Sequence, residues 1–375
     1  MKDAVEPPWG SLSAKLEDQR AGALLWFALL IGTSLLLCFL LYRERSPGIV
    51  NEAAGIYRLP AALPELSGLA RGRGEEIWGH NDSLDLPQLF ALDRTGQLLS
   101  RYLLRDAEHV DWEDITSDHR GRLYLGDMGN NFHWRQRLTL YEVHPPSPLS
   151  RPEEQNERQD EQLSVSRRWV FCYPALPEGS SPLLRERSLQ FQAPLTPLRC
   201  RAPLPPWESG ARRYDSEALF WAPTDHSGGS LYLFDKPYLG GDSILYRLPL
   251  LLGEEDGESV SGAASPLPLQ PVAVAEVGPP HPPTGARVTA ADLSPDGRCL
   301  AVLSYHSISL FTWPPERPWR PVVTLPLTTL RLRQAEAVVW VESEVLWIGS
   351  EGLQRAELSG TCERRALSFG VSRGG

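Results

Sequence analysis

A chain of 375 residues with 42% hydrophobic side chains is long enough for one large or two ordinary domains around a real core, which excludes an intrinsically disordered protein. Its 37 basic against 47 acidic side chains give a formal charge of −10, which excludes the basic face a nucleic-acid binder needs. Lysine occurs only at Lys2, Lys15 and Lys236, so arginine carries nearly all the positive charge.

Residues 1–20 read as a short N-terminal tail. Ala21 to Tyr42 is an uncharged apolar stretch of 22 residues, matching the ~20 an α-helix needs to cross a bilayer. No small-x-small cleavage site precedes Tyr42, and Leu35-Leu36-Leu37 before Cys38 lacks the small residue of a lipobox, so the segment reads as an uncleaved signal anchor. Lys2, Lys15 and Arg20 balance Arg43, Arg45 and Arg58 across it, and the charge rule leaves orientation open. A large domain behind a short tail is the usual plan for export. The expected location is therefore the bacterial cytoplasmic (inner) membrane, crossed once, with the domain on the periplasmic or extracellular side.

After a linker at 43–55, one short pattern recurs through 56–375: Glu65-Leu-Ser-Gly-Leu69, Asp111-Trp-Glu-Asp-Ile115, Asp215-Ser-Glu-Ala-Leu219, Thr289-Ala-Ala-Asp-Leu293 and Gln334-Ala-Glu-Ala-Val338. Each opens an apolar strand, a Gly/Asp/Pro turn such as Ser294-Pro-Asp-Gly297, and a second strand with a polar end, such as Ile77 to Asp82 or Leu231 to Lys236. Third strands follow at Gln88 to Asp93, Arg137 to Val143, Ser243 to Leu248 and Ser307 to Trp313. Fourth strands are placed at Leu98 to Leu104, Arg168 to Tyr173, Val272 to Val277, Pro321 to Leu327 and Arg365 to Phe369. Four strands per unit at a period near 45 residues predict an all-β fold, a β-propeller of five or six blades preceded by one transmembrane α-helix. A β-sandwich of short strands shares the same signals. Insertions fall near 144–213, where a sixth blade has room around Ser188 to Gln192, and near 250–270.

The phrases His80-Asn-Asp-Ser83, Val110-Asp-Trp-Glu-Asp114, Tyr124-Leu-Gly-Asp-Met-Gly-Asn-Asn131, Asp215-Ser-Glu-Ala218 and Asp292-Leu-Ser-Pro-Asp-Gly297 resemble a family of largely uncharacterised bacterial extracytoplasmic β-propellers. That family is similar in outline to phytase-like and WD40/NHL-like propellers. The resemblance covers most of Leu66 to Glu351 and implies the fold, with no settled activity attached.

In an antiparallel hairpin the start of the first strand lies beside the end of the second. The acids at those positions converge on one mouth of the channel if first strands line it. Candidate metal ligands are Asp82, Asp111, Glu113, Asp114, Asp127, Asp215, Glu217, Asp292, Glu336 and Glu351, an oxygen-rich set that suits calcium or magnesium. His80, Asn81, Lys236 and Arg137 are candidates for an anionic ligand bridged through that metal. The same acids serve equally well as hydrogen-bond acceptors between blades. Cys172, Cys200, Cys299 and Cys362 lack zinc or redox spacing; one disulfide has room to form, and Cys299, in an apolar run, reads as a buried thiol.

Two functions fit. One is a membrane-anchored propeller that binds a protein, glycan or small anionic ligand at an acidic, calcium-occupied mouth. The other is a metal-dependent hydrolase of phosphate esters. No G-x-S-x-G, P-loop, H-E-x-x-H or dinucleotide fingerprint is present in the chain.

Overall fold

The computed structural model describes residues 56–82, 86–131, 135–146, 161–175, 199–200, 215–224, 228–236, 243–249, 266–277, 287–316, 319–330, 332–363 and 366–369. The apolar segment 21–42, the tail, the linker and most of both insertions lie outside them. Among the described residues no helix is long and apolar enough to cross a membrane.

The described chain is all β. Strand β1 (Ile56–Arg58) is followed by a first antiparallel unit, β2 (Leu66–Arg71), β3 (Ile77–Asn81), β4 (Gln88–Leu92) and β5 (Leu98–Arg105). The second is β6 (Trp112–Ser117), β7 (Leu123–Asp127), β8 (Leu138–Val143) and β9 (Glu161–Cys172). The third is β10 (Ser216–Thr224), β11 (Gly228–Asp235) and β12 (Ser243–Arg247), completed, after a two-residue β13 (Leu267–Pro268), by β14 (Gln270–Ala275). The fourth is β15 (Val288–Leu293), β16 (Cys299–Ser304), β17 (Ser307–Thr312) and β18 (Val323–Pro326). The fifth is β19 (Ala335–Glu342), β20 (Val345–Ser350), β21 (Gln354–Thr361) and β22 (Ala366–Phe369).

The first strands pack side by side in a closed circuit, β2 on β6, β6 on β10, β10 on β15, β15 on β19 and β19 back on β2. Five blades therefore complete the ring. Because β6 and β10 touch directly, no sixth blade stands between them, and the candidate strand at Ser188 to Gln192 lies outside the described residues. The core is divided into five slabs, one between each pair of neighbouring blades. Sandwiching explains the sequence pattern: inner strands such as β3 and β4 are buried on both faces and read as near-continuous apolar runs, whereas the outer β9 alternates between exposed and half-buried positions over most of its length.

Two features were not foreseen. The fifth blade has its third strand at β21, whose outer edge is shared by β1, paired at Ile56↔Ala356, and β22, paired at Leu358↔Phe369. The Arg355 guanidinium fixes β1 there, 4.2 Å from the Tyr57 ring centre and 3.8 Å from that of Trp347. Also, β9 is longer than expected. Glu161 to Ser164 pair parallel with β5 before the strand turns antiparallel to β8, which joins blades one and two into a single sheet.

The expectation of a free Cys299 is corrected. Cys299 opens β16 and is bonded to Cys362 just after β21, with Cα atoms 5.5 Å apart, stapling blade four to blade five. A second disulfide joins Cys172, at the end of β9, to Cys200 in the insertion, with Cα atoms 5.6 Å apart. Neither pairing follows from spacing, because it is the ring that brings distant segments together.

Candidate functional site

All five first strands carry a β-bulge at the same place. The register with the second strand slips at Ser67, Glu113, Glu217, Thr289 and Glu336, one residue per blade. A bulge leaves one residue unpaired and re-aims its side chain. Two residues before the bulge stand Glu65, Asp111, Asp215, Arg287 and Gln334, and across the hairpin, just after the second strands, stand Asp82, Met128, Lys236, Tyr305 and Glu351. Backbone bonds hold this arrangement, with Asp82 N–H donating to Glu65 O, Met128 to Asp111 O, Lys236 to Asp215 O and Glu351 to Gln334 O.

The fourth repeat was aligned two residues too late by sequence. Its bulge falls at Thr289 within Arg287 to Ala291, so Asp292 does not occupy the position of the other acids. Two of the five bulge residues close the ring, Ser67 Oγ donating to Glu113 O at 2.8 Å and Thr289 Oγ1 to Ala335 O at 2.8 Å. The other three are glutamates.

Two overlapping groups of carboxylates result. Ligand atoms of Asp82, Asp111 and Glu113 lie within 4.8 Å of one another, as do those of Glu113, Asp215 and Glu217. The first group is half-buried at its two aspartates, the second buried throughout. Burial, reinforced by Asp82, pushes the Asp111 carboxyl up to about 6, and burial followed by Asp82 and Asp215 holds Glu113 well above the ordinary carboxylate range. Glu336 is raised to about 7 by burial against the opposing charge of Lys236. Glu217 Oε2 is buried with no hydrogen-bond partner. Gly129 packs against these carboxyls: a Cβ there would overlap Glu113 Oε1 and lie 2.5 Å from the Asp111 carboxyl.

Lys236 is buried at the inner end, ion-paired to Glu217 Oε1 and donating to Tyr305 Oη at 2.8 Å. Burial and the nearby acids raise the Tyr305 hydroxyl far above its ordinary value. Tyr305, Arg287, Ser67 and Thr289 were missed by sequence; aligning the fourth repeat on Thr289 would have revealed Arg287 and Tyr305.

The remaining expected residues, Glu351 apart, sit elsewhere. Asp114 is buried between blades, Oδ1 accepting Ile115 N–H at 2.9 Å and Oδ2 accepting Leu219 N–H of the next blade at 2.8 Å. Asp292 Oδ2 likewise accepts Trp340 N–H at 2.7 Å, linking blades four and five. Asp127 is held by Arg135 at 2.7 Å and by the Asp111 amide at 3.1 Å. Asn81 bonds Ala62 O and the Glu65 amide. His80 is buried beside Trp112, its Nδ1 2.8 Å from Asn81 O, and burial lowers it to about 3, so the ring is neutral. Arg137 is exposed before β8. Glu351 is at the mouth but only half-buried, raised by burial and by Glu65.

No family model and no curated protein matches the chain. Solved structures similar in outline include a candidate 6-phosphogluconolactonase from Bacteroides uniformis, 12% identical, covering 83% of this chain and 72% of that one, TM-score 0.37. Two others are 13% identical over 81% of this chain: the PQQ-bound aldose sugar dehydrogenase from Streptomyces coelicolor (97% of that chain, TM-score 0.39) and a candidate gluconolactonase (91%, TM-score 0.38). Likeness at this level carries no argument about activity, and the propeller rests on the strand order and the closed ring.

Proposed function

We propose that the chain is an extracytoplasmic propeller that binds a divalent cation, calcium foremost, at its acidic mouth and uses it to hold an anionic ligand or the acidic group of a protein or glycan partner. The observation that carries this reading is the carboxylate run from Asp82 to Glu217, which ends in a buried, unpartnered Glu217 Oε2 and packs the Glu113 and Asp111 carboxyls where a Cβ on Gly129 would stand. Bare carboxylates this close repel one another, and a bound cation removes that repulsion; the orphaned oxygen shows that the chain's own donors leave the run unsatisfied. Two disulfides support an oxidising compartment. They favour a propeller held outside the bacterial cytoplasmic membrane by the segment 21–42.

A cation bound by the half-exposed Asp82 and Asp111 keeps coordination positions for water, and this favours a second reading, metal-assisted hydrolysis of phosphate esters. A phosphatase and esterase panel with calcium or magnesium decides it. Turnover no greater than that of Asp111→Asn/Glu113→Gln removes the hydrolase.

The binding reading is tested by melting the full chain with calcium and with chelator. Preferential binding to the folded state gives about 2.7 kcal/mol at a hundredfold excess over Kd, seen as a rise in Tm. Gly129→Ala, which removes no carboxylate, is expected to abolish the rise by displacing the Glu113 and Asp111 carboxyls. A calcium response that survives Gly129→Ala and Asp111→Asn/Glu113→Gln refutes a site at this mouth.

A further inference from the structure

The two carboxylate groups differ in what already faces them. At the outer group, Asp82 and Asp111 are only half-buried and so reach water. At the inner group, an ammonium is built in. Lys236 is 6% exposed, its amide is fixed to Asp215 O, and its Nζ is ion-paired to Glu217 Oε1 and bonded to Tyr305 Oη. Its charge also offsets the raised values of Glu113 and Glu336, so all three bulge glutamates lie within the field of one ammonium. A lysine has three donors in tetrahedral array and no acceptor, which suits it to stand among carboxylates as a monovalent cation would.

We propose that Lys236 is a tethered counter-ion filling the inner half of the mouth, so that the chain binds one divalent cation, among Asp82, Asp111 and Glu113, and takes a second among Glu113, Asp215 and Glu217 only when the ammonium is removed. This rests on reading the mouth as a cation site. Glu217 shows why the second position is latent. Lys236 uses Oε1, while Oε2 is buried without a partner and is left as a ligand atom for another occupant. The tether also has a consequence for exchange: an ammonium on the chain cannot be stripped by chelator, so the inner acids keep a partner when the outer ion leaves. Lys236 is thereby a specificity-determining residue, setting the stoichiometry of the site rather than contacting the ligand.

The experiment is equilibrium dialysis of the full chain against calcium, counting ions per chain. Wild type is expected to bind one ion, Lys236→Met and Lys236→Gln two, and either variant combined with Glu217→Gln one again. Two ions on wild type, or one on both single variants, overturn the proposal and leave the cation site standing. No ion on wild type overturns the cation reading itself. If both single variants stay unfolded even in calcium, a free cation cannot replace the ammonium at the inner group, and the proposal fails on that ground also.

Discussion

Replacing Asp114 separates a structural acid from a ligand. The side chain is buried, and its two oxygens accept Ile115 N–H at 2.9 Å and Leu219 N–H at 2.8 Å, the latter across the junction of blades two and three. Asp114→Ala leaves at least two buried amides without acceptors, at roughly 1–3 kcal/mol each, so a loss of about 2–6 kcal/mol is expected. Asp114→Asn keeps one acceptor oxygen and is expected to lose about half as much. Burial holds the Asp114 carboxyl well above its ordinary value despite these bonds. A carboxyl raised in the folded state stabilises at low pH, and that contribution is lost as pH rises through its folded value, so the deficit of either variant narrows toward alkaline pH. Urea unfolding of the full chain, with calcium and with chelator, measures the loss. Because Asp114 lies outside both carboxylate groups, the difference from wild type should be the same in both buffers. A deficit under about 1 kcal/mol refutes the latch; one that appears only with calcium present makes Asp114 a ligand.

Asp292 gives the pH test. Burial lifts its carboxyl from 3.8 to about 7, so the stability it contributes below pH 4 should fade as pH rises to about 7. Asp292→Asn should flatten the urea-midpoint profile over that window, and an unchanged slope would disprove the assignment. The Cys299–Cys362 bond closes a separation of 63 residues, for which chain entropy predicts about 4 kcal/mol. Cys362→Ser should lower the unfolding free energy by that order, and an unaltered midpoint in reductant would show that the staple contributes nothing. For topology, a reporter enzyme fused after Gly375 is expected to be active outside the cytoplasm, and activity confined to the cytoplasm would reverse the proposed orientation.

The sequence disclosed the blades because sandwiched inner strands must be apolar on both faces and hairpin turns need Gly, Asp or Pro. Leu66, Trp112 and Ala335 each begin a first strand within the stretch the repeat predicted. The bulges were not legible, since a bulge exists only relative to the strand across from it. Without them, Glu113 and Asp114 looked equivalent, although one is aimed at the mouth and its neighbour at the next blade's amides. The same blindness shifted the fourth repeat, where Asp292 was a more conspicuous acid than Thr289. β21 escaped because Gln354 to Thr361 carries polar side chains at five of its eight positions and lacks the apolar run of the other third strands. Asp82 and Asp111, by contrast, were placed at the mouth by hairpin geometry alone.

The sharing of β21 between β1 and β22 also bears on the order in which the molecule is made. Among the described strands β1 leaves the ribosome first, yet its partner is among the last to appear. Until then Leu59, Leu63 and Leu66 have no fifth slab to enter, because Ala337, Val339 and Trp347 complete it. Four blades can fold in turn on local contacts, but closing the circle must wait for the pairing most distant along the chain, the slowest kind to form. For most of its synthesis the domain is an open arc with two apolar faces, and it is in that interval that it is most exposed to association with other copies of itself.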